Sequence, residues 1–402
     1  MNLKNMVFFK MKEHLKILVF EAASSGLFKA NSSILSEGLT MLSTLTKDLI
    51  KAGYETSVIL NKSLINCFNV KTKVFKVGEL KLSFLRQLAK KHDFTYVIAP
   101  ETNNMLLKIL IELDGFHLNS KPEAVKHASN KETLAITLEE QNLKTPKIFI
   151  QEDLKNLRFP LIVKPCLSAG CEGLKIVRNF KELKNSLKLF KSNFIIQEFI
   201  KGIPASVSLI SNGFKAKALT LNRQFIKLDN PEYLGGFTPL NHKLKFKALK
   251  TAEKAVEAFK GLKGYIGVDL ILSKKEVYVA EVNPRLTVSY AGLSKASKVN
   301  LAKFILASSL GRTIQFTLSF KNACFFRKTL FKNLTKKFIL KVAYLKEFLT
   351  PPIVNLKKSN EGYSFIAVMM NNIFEAEKKY FHLIKKLNNK EGVKAIYKWW
   401  RY

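Results

Sequence analysis

The chain has 402 residues, 47% of them hydrophobic and 24% charged, with a net charge of +36 from 67 basic and 31 acidic side chains. That length suits about two to four compact units. No run approaches the ~18 uninterrupted apolar residues of a membrane span, and Cys67, Cys166, Cys171 and Cys324 are too few and too scattered for a disulfide framework.

The first ten residues are broken by charge too soon for a signal peptide, so a cytoplasmic location is expected. Residues 16–20 read as a short buried strand, followed by a polar, Gly-bearing loop over 21–33. Ser36-Glu37-Gly38-Leu39 leads into an amphipathic helix through Leu49, and 56–60 and 96–100 are further strands. Strand, helix, strand at this spacing implies a βαβ unit and a parallel sheet. Ligands of such sheets gather at strand C-terminal ends. Glu21, the Ser24-Ser25-Gly26 loop and Glu101 therefore sit at a candidate substrate edge. For Glu21 and Glu37, a cap or solvated-face role competes evenly with substrate binding. Near a helix start, Glu37 also complements the helix dipole.

Residues 131–141 read as a helix that exits at Thr145-Pro146. Residues 160–200 carry strands and one lysine-rich helix over 181–190, the size of a small lid. Residues 205–221 read as two strands joined at Asn212-Gly213, a hairpin signal, with Asn222-Arg223-Gln224 ending the second. The stretch 232–241 reads as a loop around Gly235-Gly236 that closes over substrate, and 248–260 as an amphipathic helix. Past Gly311, a Phe-, Leu- and Lys-rich stretch over 321–349 is broken at Pro351-Pro352. A strand over 363–369 and a helix over 373–387 follow. The end, Tyr397-Lys398-Trp399-Trp400-Arg401-Tyr402, is aromatic and basic. Packing on the body or on a second subunit, as in a homodimer, is favoured for it over docking on a membrane surface or on RNA bases.

Three central segments carry chemistry. Leu161-Ile162-Val163-Lys164-Pro165 is an apolar strand ending in a lysine, and a small, glycine-bearing loop runs from Ser168 to Gly173. Gly170 and Gly173 let backbone N–H groups approach phosphate oxygens, and Lys164 adds a point charge. Taken alone, an ordinary hairpin with an edge lysine explains this segment better. Phe194-Ile195-Ile196-Gln197-Glu198-Phe199-Ile200 is a strand that leads to Gly202, and its end can offer backbone groups to an adenine edge. A buried strand leaving the core is the plain alternative. Asp269 lies in a strand over 265–272, and Glu281-Val282-Asn283-Pro284-Arg285 follows another strand. Ser273-Lys274-Lys275-Glu276 between them reads as a hairpin turn. Antiparallel pairing brings the Asp269 and Glu281 carboxylates side by side. With the Asn283 amide oxygen they form a hard, all-oxygen set suited to Mg²⁺, and Arg285 places a cation beside the phosphates. A solvated hairpin is the alternative for Glu281 and Asn283 by themselves. Cys166 and Cys171 flank the glycine loop without a nearby His or second Cys pair, so small side chains in a tight loop explain them better than zinc or redox chemistry.

Together, in this order and spacing, these segments resemble the ATP-grasp superfamily, over residues 121–311. A closer resemblance, to the archaeal tyramine–glutamate ligases of methanofuran biosynthesis, adds Phe20-Glu21, Ser36-Glu37-Gly38 and the run Leu219-Thr220-Leu221-Asn222-Arg223-Gln224-Phe225-Ile226. It also takes in Gly235-Gly236 and Gly264-Tyr265-Ile266-Gly267-Val268-Asp269.

The resemblance implies a mixed α/β and α+β fold. An N-terminal parallel-sheet domain would span 1–120, a lid region 121–204, a central antiparallel metal-binding region 205–312, and an α+β extension 313–402. It implies ATP as cosubstrate, with Mg²⁺ or Mn²⁺. Lys131 and Lys164 resemble the phosphate-contacting lysines, and Ser168, Gly170 and Gly173 the phosphate loop. Gln197, Glu198 and the backbone of Phe199 and Ile200 resemble the adenine-reading hinge. Asp269, Glu281 and Asn283 resemble the metal ligands, and Arg285 the arginine of the acyl-phosphate step. Arg223 is a further catalytic candidate that would clamp a substrate carboxylate. One departure is visible: Gly202-Ile203-Pro204-Ala205-Ser206 holds no acid where the family often has one for the ribose. No dedicated general base is demanded, and His242 is only a weak candidate.

The implied activity is a ligase joining a small carboxylic acid to an amine. The charge of +36 raises a rival, a nucleic-acid- or membrane-surface-binding protein on a degenerate fold of this kind. Lysine outnumbering arginine, and the spread of lysines along the chain, weigh against nucleic acid.

Overall fold

The computed structural model describes residues 15–149, 157–189, 194–314, 316, 318–354, 359–388 and 392–396. The readings on residues 1–10 and 397–402 fall outside them. The strands form three sheets.

The first sheet is parallel, in the order β3-β2-β1-β4, with β1 Lys16–Glu21, β2 Glu55–Asn61, β3 Lys73–Val77 and β4 Phe94–Ile98. Five of the six β1 residues are buried, as expected of a parallel strand covered on both faces. The helix Ser32–Lys51 starts four residues earlier than Ser36, because the Asn31 side chain caps it by accepting from the Ile34 amide at 3.0 Å. Glu37 is thus in the second turn and not at the dipole end. Gly38 is required there: a Cβ would sit 2.5 Å from the Glu21 carboxyl carbon.

The second sheet is small and antiparallel, in the order β5-β8-β6-β7. It comprises β5 Ile148–Phe149, β6 Leu161–Pro165, β7 Lys175–Val177 and β8 Phe194–Glu198. The helix Phe180–Leu189 packs its Leu183 into a separate small core with Leu161, Val163, Val177 and Ile196.

The third sheet runs β13-β12-β9-β10-β11-β14-β15, with β16 beside β14. These strands are β9 Ile203–Asn212, β10 Ala216–Lys227, β11 Glu232–Thr238, β12 Lys263–Leu272, β13 Val277–Asn283, β14 Ala323–Lys332, β15 Gly362–Met370 and β16 Lys394–Ile396. Two expectations are corrected here. Residues 232–238 are a strand and not a loop, and β10 continues past Gln224 to Lys227. The glycines that suggested a loop are what lets β11 fit between β10 and β14. A Cβ on Gly236 would lie 1.9 Å from the Arg223 carbonyl oxygen, and one on Gly235 2.3 Å from that of Phe326.

The expected division at 312–313 does not separate sheets, since β14 pairs directly with β11. Phe325 and Phe331 of β14 join one core cluster with β9 and β12, and Cys324 and Phe326 join another with the first sheet. No helix among the described residues is long and apolar enough to cross a membrane.

Candidate active site

A cavity of about 390 Å³ opens between the small sheet and the central one. Lys164, Gly170, Gln197, Phe199 and Ile200 line it from the small sheet, and Arg223, Asp269, Glu281, Asn283 and Arg285 from the other side. Lys131, Ser168, Gly173 and Glu198 are set back from its lining. Glu198 turns its carboxylate to the Lys147 amide at 3.4 Å. His242 is also outside the cavity, where its Nδ1 accepts from the Leu244 amide.

The acidic floor is set by strand register. In the β12–β13 pair, Asp269 is the Cα partner of Glu281 and Gly267 that of Asn283, with a bulge just after Asp269. Asp269 accepts from Gln224 Nε2 at 2.8 Å and from Asn283 Nδ2 at 3.2 Å. Burial, and then the like charge of Glu281, push its carboxyl up to about 7, against the pull of those two donors. Glu281 behaves oppositely. Burial works against its charge, but Lys131 at 3.5 Å and Lys164 at 3.2 Å outweigh it and hold the carboxyl below its usual range. The Lys164 ammonium is in turn pushed down, first by burial, with Glu281 opposing and Lys131 assisting.

Lys131 reaches this point from the start of the helix Lys131–Glu140, and its Nζ also donates to Ser168 O at 3.0 Å and Ser168 Oγ at 3.2 Å. The glycine loop is thereby tied to the lysine pair. Gly170 has φ +62 and no atom within 4 Å of a built Cβ, so its backbone faces open space. Cys171 of the same loop lines the cavity at φ +68, and its thiol is pushed up to about 12, chiefly by burial. All four cysteines are free, and no cluster of three or more His, Cys, Asp or Glu side chains suited to a metal occurs among the described residues.

Two carboxylates of like charge on facing strand positions, one driven toward neutrality, fit a divalent cation. An added positive charge there would relieve both the repulsion and the cost of burial. The Asn283 carboxamide completes a hard donor set beside them.

The arginines are engaged by the protein itself. Arg285 makes a two-pronged pair with Glu101, Nε at 3.0 Å from both oxygens and Nη2 at 2.9 Å from Oε2. Glu101 is nine-tenths buried or more and Arg285 nearly so, which makes this a shielded pair. Arg223 Nη1 donates to Pro204 O at 2.7 Å and to Gln224 O, and its guanidinium lies 5.7 Å from the Phe225 ring centroid. The Glu21 carboxylate accepts from the Ala23 and Ser24 amides at 3.1 and 2.6 Å, so it shapes its own loop.

Sequence reasoning missed Gln224, Tyr233 and Lys328. Gln224 supports Asp269 from β10, and Tyr233 lines the cavity. Lys328 Nζ bonds Glu37 Oε1 at 2.8 Å, Glu232 Oε1 at 3.1 Å and Ser33 Oγ at 2.7 Å. The only local signal for Tyr233 was an aromatic residue beside a glycine pair, and for Lys328 there was none.

Residues 128–289 match the model of an ATP-grasp domain and residues 54–125 that of a pre ATP-grasp 3 domain. The chain is similar to the tyramine–L-glutamate ligase of Methanocaldococcus jannaschii, 32% identical over 309 residues that span 75% of this chain and 91% of the relative. Among solved structures it resembles a putative ATP-grasp superfamily protein from Archaeoglobus fulgidus, with a TM-score of 0.66 and 23% identity over 88% of this chain and 99% of that one. It also resembles an L-amino acid ligase from Bacillus licheniformis, with a TM-score of 0.66 and 15% identity over 96% of this chain and all of that one.

Proposed function

Because the chain belongs to the ATP-grasp family and is an ATP-dependent carbon–nitrogen ligase, we propose that it joins glutamate to tyramine, or to a similar primary amine, through an acyl phosphate. The observation that carries this reading is the facing of Asp269 and Glu281 on the cavity floor, opposite Lys164 and backed by Lys131.

The lysines would meet the phosphate charge of ATP with two ammonium groups that share one carboxylate. Gly170, with open space before it, would let backbone N–H groups close on the same phosphates. Gln197, Phe199 and Ile200 would flank the base at the other end of the cavity. Asp269, Glu281 and Asn283 would hold Mg²⁺ or Mn²⁺, whose charge offsets that of the phosphates.

The substrate carboxylate would attack the γ-phosphorus, expelling ADP to leave an acyl phosphate, and an amine would then displace phosphate from the acyl carbon with loss of one proton. Arg285 would lie beside the transferred group, kept extended by Glu101. The work of these residues is positioning and charge stabilisation, as in phosphoryl transfer generally. Arg223 would meet a substrate carboxylate with its Nη1 already committed to the Pro204 and Gln224 carbonyls.

The test is oxygen transfer. With glutamate labelled by ¹⁸O in its carboxylates, the reading expects one labelled oxygen in the phosphate released with the amide. Release of unlabelled phosphate alongside the amide would rule out the acyl phosphate.

A further inference from the structure

One wall of the cavity has a charge character opposite to the rest of the protein. Glu37, 23% exposed, lines it, while Lys328 behind it is 2% exposed. Lys328 serves two carboxylates, Glu37 and Glu232, so the cluster keeps one surplus negative charge. That surplus stands in a chain with 67 basic and 31 acidic residues. Glu37 lines the same cavity as Asp269, Glu281 and Arg285, and its charge acts on Arg285 and on Cys171 of the glycine loop.

Glu37 is fixed by its helix and by Lys328, which is itself held by Glu232. Its backbone is in the helix Ser32–Lys51, Lys328 comes from β14, and Glu232 from β11. Lys328 is itself steadied by Ser33 Oγ and by the Tyr363 ring, 5.6 Å from Nζ to centroid. Tyr233, 9% exposed and also lining the cavity, has a buried hydroxyl whose one partner among the described residues is Ser289, outside ordinary hydrogen-bond geometry. A carboxylate held still, beside an aromatic ring and a phenolic hydroxyl with acceptor capacity to spare, suits an organic cation. It suits a divalent metal poorly, since such an ion gathers several oxygen ligands.

We propose that Glu37, anchored by Lys328 from the segment beyond the matched family region, is the receptor for a primary ammonium group on one of the two substrates. The proposal rests on the ligase reading. The ammonium has two possible sources, the amine itself and the α-ammonium of the amino acid.

Glu37→Gln separates them. The amide keeps an oxygen for Lys328, which also retains Glu232 and Ser33, so an unchanged melting temperature is expected. KM for one substrate should rise roughly 10- to 100-fold, the worth of a charge-assisted hydrogen bond, while KM for the other stays put. A rise for tyramine supports the amine as the source. A rise for glutamate, with an equal loss of preference for glutamate over glutarate, supports the α-ammonium. Both KM values unchanged would overturn the proposal. Lys328→Met should raise the same KM by a smaller factor, whereas an equal rise in both would reduce Lys328 to a structural role and overturn the anchor. If wild-type protein releases no phosphate with any pair, the ligase reading fails by itself. Calorimetric binding of tyramine and glutamate then decides for Glu37: equal binding by wild type and Glu37→Gln overturns the receptor, and a selective loss in the variant supports it.

Discussion

Asp269 is costly to stability and central to the proposed chemistry. Its carboxylate is buried beside a second one and titrates near 7, well above the usual range. Replacing it by the isosteric Asn removes a charge the fold disfavours, keeps an acceptor for Gln224, and needs the Asn283 amide to turn its oxygen to the new NH2. Asp269→Asn is therefore expected to melt at the same temperature or higher, by about 1 kcal/mol at most, while ATP turnover falls by about 100-fold or more. Paired thermal melts and ADP-release assays check it, and a variant that loses stability and turnover together would contradict it. His117 offers a separate handle on pH. Burial first, and Lys263 third, pull it down to about 4, with a bond to Asn119 opposing. Its pKa in the unfolded chain is about 6.5, so between about 6.5 and about 4 the unfolded state binds the extra proton. Stability from this group is full above about pH 6.5 and is lost as pH falls toward about 4, by at most about 3 kcal/mol. If Gln is tolerated in place of the neutral ring, urea midpoints of wild type and His117→Gln should coincide near pH 7.5 and separate toward pH 4.5, where wild type becomes the less stable. A constant gap between them would refute the assignment.

At the level of elements, the narrowest fit is β11 between β10 and β14. Gly236→Ala drives a methyl group to 1.9 Å from the Arg223 carbonyl, so strand spacing or register must change. A loss of about 3 kcal/mol or more is expected from denaturant unfolding. Gly78→Ala is the control, with nothing within 4 Å of its built Cβ, and an effect within about 0.5 kcal/mol. Equal effects at both positions would mean that β11 is not packed as described. This strand also shows where sequence reading stops. Gly235-Gly236, with Pro231 and Pro239 near the ends, carries loop punctuation, while the need for glycine comes from carbonyls on two other strands. The β12–β13 hairpin was legible because the thirteen residues 269–281 hold both carboxylates, the turn and the apolar alternation. The glycine loop and Lys164 were legible for the same reason. Lys328 and Glu37 are 291 residues apart in sequence and meet only in the fold, so no local pattern announced their pairing, although Glu37 alone stood as an even candidate for substrate binding. Gln224 is likewise 45 residues from Asp269.

Across the whole molecule, the segment after residue 312 is part of the body. β14 and β15 extend the central sheet, and their Phe325, Phe326, Phe331 and Phe365 side chains are buried to within 1% exposure or less. Ending the chain at Arg312 would uncover the β11 edge and the apolar faces beneath these rings. Such a truncation is expected to aggregate on expression, as sedimentation or size-exclusion chromatography would show. A monodisperse, folded fragment would contradict the single-sheet account. The charge of +36 is spread over the entire chain, whereas the carboxylates of Glu37, Asp269 and Glu281 line one cavity.

The measurement that tests the central claim most directly is product release from ATP, Mg²⁺, glutamate and tyramine, with each component omitted in turn. The account predicts ADP and phosphate in a one-to-one ratio with an amide, dependent on both the acid and the amine. Formation of AMP and pyrophosphate, or amide formation without ATP, would contradict it.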